Sequence, residues 1–205
     1  MSDTDQGQSF AIEADGDDES NGSTSLAALG RGAKAFFDWA LVVVIALVVA
    51  LGVRTFLLAH FVVEGSSMYS TLKTGDRVFV NKVSYRLHEP NPGDVVVLHE
   101  IRGTTERDLI KRVIAVGGEE VEMRSCEVRI GGQLLIEPYL DPTVVTPGNC
   151  GGDFGPILVP AGTVFVMGDN RAGSQDSRTL GPVLIDDIVG RAFVVFWPRS
   201  NWQWL

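Results

Sequence analysis

The sequence predicts an all-β protein: an antiparallel β-sheet body preceded by one N-terminal transmembrane helix and a disordered acidic tail. Three observations carry this expectation. Beyond Phe61, short runs of Val and Ile alternate with turn residues, and the 205 residues include 23 Gly and nine Pro. Such punctuation suits strands and turns rather than a helical bundle. The run Trp39–Val53 (WALVVVIALVVALGV) is free of charge. Residues 1–25 hold seven acids and no Lys or Arg.

The tail, residues 1–33, is polar and rich in Ser, Gly and Asp, a composition that buries too little apolar surface to fold. Its acids supply −7 of the formal charge of −9. The rest of the chain is close to neutral, without the basic face of a nucleic-acid binder.

Residues 34–59 read as a transmembrane helix and juxtamembrane segment. Apolar residues dominate from Ala35 to Val53, interrupted by Asp38. A helix of that length spans about 28 Å, close to the hydrocarbon thickness of a bilayer. Lipid offers no partners to backbone N–H and C=O groups, so a spanning segment there is helical. Arg31 and Lys34 flank one end and Arg54 the other, which favours a cytoplasmic N-terminus and a single pass. Ala50-Leu51-Gly52 offers a small-x-small triplet for a cleaved signal peptide. However, apolar character resumes at Thr55–Ala59, and the preceding region is long and acidic rather than short and basic.

Residues 60–205 form the β-rich body. Strands are expected at Phe61–Glu64, Arg77–Val83, Asp94–Glu100, Leu109–Val116, Glu120–Met123, Glu127–Ile130, Gln133–Ile136, Thr163–Met167 and Val189–Phe196. Breakers separate them: Lys73–Asp76, Glu89–Gly93, Gly117-Gly118, Gly131-Gly132 and Pro147–Asn149. Asp186–Ile188 hints at one helical turn. Cys126 and Cys150 both follow the anchor; outside the cytoplasm they can stay oxidised. A bridge closing about 24 residues is worth roughly 3 kcal/mol in the chain-entropy account. The alternative is a pair of small, unpaired core residues.

Several chemistries are excluded by pattern. There is no H-E-x-x-H, no phosphate-binding Walker loop, no dinucleotide fingerprint and no G-x-S-x-G elbow. His60, His88 and His99 are scattered, so no metal site and no cofactor is expected. Three polar segments remain. A strand runs into small residues and a Ser at Val62–Leu72. A Lys-Arg pair sits in an apolar strand at Asp108–Gly118. A dense polar loop, Gly168–Arg178, follows an apolar strand. On strict alternation Leu109, Lys111 and Val113 share one face, and Ile110, Arg112 and Ile114 the other. One of the two cations therefore faces apolar surroundings, where burial lowers an amine's pKa and makes it a general base. Taken singly, each segment also reads as an ordinary feature: an exposed Ser loop, a strand Lys, a turn with ion pairs.

Together and in this order, the three segments resemble the bacterial type I signal peptidases from Trp39 to Pro198. Ser67-Met68-Tyr69-Ser70-Thr71-Leu72 is similar to the family's S-M-x-P-T-L. Lys111-Arg112 matches its K-R strand, and Gly168–Arg178 matches G-D-N-R-x-x-S-x-D-S-R in full. Gly93-Asp94-Val95-Val96 resembles a further strand motif. Val-Val-Glu-Gly-x-Ser-Met-Tyr is nearer the Gram-positive members, with Gly65 where others carry an oxyanion-binding Ser.

The resemblance implies a Ser–Lys dyad, with Ser67 as nucleophile and Lys111 as general base. It implies that Ser174 orients the Lys amine. Oxyanion stabilisation falls to the Ser67 N–H and the surroundings of Gly65. Arg112, Asp176 and Arg178 would be supporting ion pairs, and Phe61, Val63, Met68, Leu72 and Ile110 would line pockets for small side chains. The implied activity is removal of signal peptides from exported preproteins after Ala-x-Ala-like sites, at the bacterial plasma membrane with the catalytic domain outside. The implied partners are preproteins and the lipid bilayer; no oligomeric state is implied. Ser70 departs from the family's usual Pro and gives back an N–H and backbone freedom. That departure motivates two alternatives: a catalytically weakened, membrane-anchored β-domain used for binding or assembly, and a self-cleaving Ser–Lys peptidase of the repressor type. The latter needs a soluble DNA-binding domain, which this sequence lacks.

Overall fold

The computed structural model describes residues 21–53, 57–102 and 105–205. It divides into two compact units, Met1–Ala50 and Leu51–Leu205. The first contributes helix α1, Asn21–Gly52. This helix starts inside the stretch expected to be disordered: 21–33 includes Leu26, Ala27, Ala28 and Leu29, all good helix formers. Residues 1–20 of the expected tail lie outside the described residues. Leu41, Val42, Val44, Ile45, Leu47, Val48, Val49 and Leu51 are each more than half exposed. Among the described residues, no helix is long and apolar enough to cross a membrane.

The second unit is an antiparallel β body. Its strands are β1 Leu58–Val62, β2 Arg77–Asn81, β3 Val95–Arg102, β4 Thr105–Val116, β5 Glu120–Arg124 and β6 Glu127–Ile130. They continue with β7 Gln133–Leu134, β8 Phe154–Leu158, β9 Thr163–Met167, β10 Val183–Leu184, β11 Ile188–Trp197 and β12 Gln203–Trp204. The larger sheet runs β1-β2-β11-β3-β4-β9-β10, with β12 added to β11; the smaller runs β7-β6-β5-β8. Two one-turn helices, α2 Ser84–Leu87 and α3 Ser177–Leu180, complete it.

Each expected strand is present, most with shifted ends. β1 starts and ends earlier than expected and β4 starts earlier. The early part of β4 is charged, but it pairs with β3 through His99↔Asp108 and Glu100↔Arg107, so opposite charges face each other across the ladder. β8 is not apparent in the sequence because Gly155-Pro156 reads as a break. β10 and β12 are too short to carry a period. The turn hinted at Asp186–Ile188 is a 3-10 turn at Ile185–Asp187.

Burial follows the pleat. Leu109 and Val113 pack with Val96, Leu98, Val164 and Val166 on one side of the larger sheet. Ile110 packs on the opposite side with Val63, Met68, Leu72, Val78, Val95 and Val97. A register shift between Val113 and Ala115 ends this alternation, and Ile114 and Ala115 join a third cluster with Val121, Met123 and Phe165 beneath the smaller sheet. Cys126 and Cys150 form a disulfide with Cα atoms 5.6 Å apart, tying the β5–β6 turn to the long loop before β8.

Candidate active site

Ser67 lies just beyond β1, in a turn that Gly65 makes possible: Gly65 has φ +83°, a conformation L side chains avoid. Tyr69 N donates to Ser66 O at 3.1 Å and Leu72 N to Met68 O at 2.8 Å, closing one helical turn after the serine. Lys111 sits mid-strand in β4, which is flanked by β3 and β9, and is only 2% exposed. Its Nζ lies 2.9 Å from Ser67 Oγ and donates to Ile110 O at 2.8 Å. Burial pushes the amine down from the usual 10.5 to about 8, opposed chiefly by the negative potential of Asp176. With one N–H on a carbonyl, a neutral Nζ can turn its lone pair to the hydroxyl.

Both cations of the Lys-Arg pair are buried. Lys111 occupies the apolar setting. Arg112, on the opposite face, is neutralised by Asp169: Nε reaches Oδ1 at 2.9 Å and Nη2 reaches Oδ2 at 2.8 Å. Its Nη1 donates to Gly93 O at 2.8 Å, and its guanidinium lies 3.9 Å over the Tyr139 ring. A bidentate, hydrogen-bonded pair of this kind is what makes a buried guanidinium tolerable.

The polar loop after β9 contributes two further ion pairs. Asp176 accepts from Arg178 Nε at 2.8 Å and Nη2 at 2.7 Å, and from Gly168 N at 3.0 Å. Burial pushes this carboxyl up, but the Arg178 bonds outweigh it and hold the group below the usual carboxylate range. Arg178 also donates to Cys150 O at 3.0 Å and Arg171 O at 2.6 Å. Arg171, 1% exposed, pairs with both oxygens of Glu137.

Of the residues expected in supporting ion pairs, Arg112 pairs with Asp169, and Asp176 with Arg178. The expected bond between Ser174 and the Lys111 amine is not formed. Among the described residues Ser174 Oγ is buried without a hydrogen-bond partner, while Nζ is engaged by Ile110 O and faces Ser67. A cleft of about 310 Å³ beside Ser67 and Lys111 is lined by Phe61, Val63 and Ile110 among others. Met68 and Leu72 do not line it. The helical turn directs them inward, where they are 1% and 0% exposed in the core.

Asp169, Arg171, Glu137, Thr71 and Tyr139 were not singled out from sequence. The first two belong to the polar loop, where two acids and two bases follow a fully buried strand, a signal that some of those charges must be paired inside. Glu137 and Tyr139 lie in a long loop with no local pattern, and only chain folding shows what they face.

Gly168 separates the two serines: a Cβ there would collide with Ser174 Oγ and with Ser67 O. Gly168→Ala is expected to destabilise by about 1–3 kcal/mol, as overpacking does, and to displace Ser67, with cleavage falling by more than the loss of folded protein explains. Urea titration alongside peptide cleavage measures both; an alanine variant as active as wild type would remove the close approach assigned to this position.

Known proteins resemble this chain over most of its length. The family model described as signal peptidase, peptidase S26, matches residues 36–197. A signal peptidase I of Bacillus amyloliquefaciens is 41% identical over 180 residues, covering 85% of this chain and 92% of that protein. Signal peptidase I T of Bacillus subtilis is 42% identical over 172 residues, covering 81% and 88%. A crystal structure of a signal peptidase I from Enterococcus faecalis superposes with a TM-score of 0.44 at 31% identity, covering 51% of this chain and 97% of that one. With about four-fifths of the chain matched by the family model and by the Bacillus relatives, the chain belongs to the signal peptidase, peptidase S26, family.

Proposed function

We propose that this protein is a membrane-bound serine endopeptidase that removes signal peptides from exported preproteins, cutting after Ala-x-Ala-like sites by Ser–Lys chemistry. The observation that carries the reading is the 2.9 Å contact between Ser67 Oγ and a buried Lys111 Nζ at the edge of an apolar cleft. In the first step the Ser67 hydroxyl gives its proton to neutral Nζ while Oγ bonds to the scissile carbonyl carbon. The carbonyl π pair moves to oxygen, where the Ser67 N–H, in the turn that Gly65 shapes, stabilises it; one such donor is typically worth about 3 kcal/mol. The new ammonium faces the Asp176 carboxylate, whose potential raises its pKa. It returns the proton to the leaving amine as the C–N bond breaks and the ester on Ser67 forms. Lys111 then deprotonates water, which hydrolyses the ester.

The cleft suits this substrate because Phe61, Val63 and Ile110 leave room for small side chains beside an extended backbone. The charge-free apolar run Trp39–Val53, with Arg31 and Lys34 before it and Arg54 after it, supports an anchor in the plasma membrane, passing once, with the tail in the cytoplasm and residues 60–205 outside. The disulfide suits an oxidising exterior.

The full chain in detergent, assayed with a fluorogenic Ala-x-Ala peptide, tests the reading. Wild type should cleave and Ser67→Ala should lose roughly 10³-fold or more, because the nucleophile is gone while the fold is kept. A wild type that does not cleave would favour the binding or assembly alternative, whereas equal cleavage by both would overturn the Ser–Lys assignment.

A further inference from the structure

The turn that carries Ser67 is held from two sides. On one side, Asn170 N donates to Ser67 O and Asn170 Nδ2 to Ser66 O, each at 3.0 Å, and Thr71 Oγ1 donates to Asp169 Oδ2 at 2.5 Å. The other side belongs to residues 199–205, which are remote in sequence. The 3-10 turn Arg199–Asn201 brings Asn201 Nδ2 to 2.9 Å from Asp76 Oδ1, and the second oxygen of Asp76 accepts from Lys73 N at 2.9 Å. β12 pairs with β11 through Val195↔Gln203, which aims Gln203 Nε2 at Thr71 O, 2.7 Å away. Leu205 packs on the cluster that contains Met68 and Leu72.

These bonds answer a local need. The last carbonyls of a helical turn have no partner within the turn, and Thr71 O is one of them. The residue before it, Ser70, has no ring to fix its φ, and its hydroxyl makes only a long 3.4 Å bond to Tyr139 O. The backbone after the serine is therefore restrained by tertiary contacts rather than by its own covalent stiffness. Proton transfer tolerates little misplacement: the serine must stay within about 0.5 Å of its productive position.

We propose that Gln203, supported by Asn201, is a positioning residue for the nucleophile: its side-chain amide ties off the turn at Thr71 and so holds Ser67 against Lys111. This rests on Ser67 being the nucleophile. It assigns to β12, which neither lines the cleft nor touches the dyad, a role in the rate of acylation.

The test uses the full chain in detergent and the Ala-x-Ala peptide, with wild type, Ser67→Ala, Gln203→Met and Gln203→Lys. Met keeps the length and removes the donor; Lys keeps a donor. Gln203→Met should lower kcat roughly 10- to 100-fold, the scale of an ångström-sized misplacement, with KM unchanged, and Gln203→Lys should recover most of it. A Gln203→Met enzyme with wild-type kcat overturns the proposal. So does an equal loss in Met and Lys variants accompanied by a fall in Tm, which marks a packing role only. Undiminished cleavage by Ser67→Ala would instead overturn the nucleophile assignment itself, and the positioning role with it.

Discussion

Lys111→Met is expected to abolish peptide cleavage and, at neutral pH, to make the protein more stable. The two effects share one cause. The amine is almost fully buried, and its pKa falls from the usual 10.5 to about 8. The unfolded chain therefore binds more protons than the folded one between those values, and stability climbs with pH across that window. Below about pH 8 both states are protonated and the folded state carries the full cost of a buried ammonium. At about 1.4 kcal/mol per unit that cost is on the order of 3 kcal/mol. Methionine has nearly the same length and no charge, so it removes the cost. Thermal melts at pH 7 should rise by roughly 6–12 °C for a unit of this size, and the gain should vanish well above the usual lysine value. Cleavage should drop by about 10³-fold or more, since removing the general base leaves the hydroxyl unactivated. In the wild type, activity should climb through about pH 8 as the amine loses its proton. Cleavage that stays within tenfold of wild type in the Met variant, or a rate that is flat from about pH 6 to about pH 10, would contradict the general-base role.

Asp169→Ala should cost about 3–5 kcal/mol of folding free energy, because it strands a buried guanidinium. Asp169 is 0% exposed and receives Arg112 through two bonds and Thr71 through a third. Total stability of a domain is only about 5–15 kcal/mol, so the variant should unfold at markedly lower urea. The exposed pair Glu127–Arg129 provides the comparison: its side chains are 53% and 35% exposed, and Glu127→Ala should change stability by less than about 1 kcal/mol. Environment, not the count of ion pairs, decides the difference. Joint replacement of Asp169 and Arg112 by Leu and Met should restore part of the loss, since an apolar pair needs no charge partner. If Asp169→Ala unfolded within about 1 kcal/mol of wild type, the buried pair would not be the support described here. The same replacement also frees Thr71, so loss of cleavage should exceed the loss of folded protein.

The outline of the β body was legible because burial on a pleated sheet imposes its own spacing. Glu127–Ile130 and Thr163–Met167 are strands with the expected ends, since β-branched or apolar residues there meet Gly or Pro at once. The dyad was legible for a different reason: Ser67 and Lys111 stand in short motifs whose residue types resemble a known family. Local reading failed where partners are distant. Met68 and Leu72 looked like cleft residues, yet one helical turn rotates them into the core. Ser174 looked like a partner of Lys111, yet its buried hydroxyl has no hydrogen-bond partner among the described residues.

By itself, then, the sequence determined the strand pattern, the apolar run before it and the two groups proposed to react, because periodicity and residue chemistry are written locally along the chain. Which acid neutralises which base was decided only by tertiary structure. Arg112 could have met Asp176 as easily as Asp169, Arg171 finds Glu137 in a featureless loop, and Gln203 reaches Thr71 from the far end of the body. A side chain senses a partner only within a few ångströms, and nothing in a linear spacing of tens of residues states which distant segments the sheet order will bring that close.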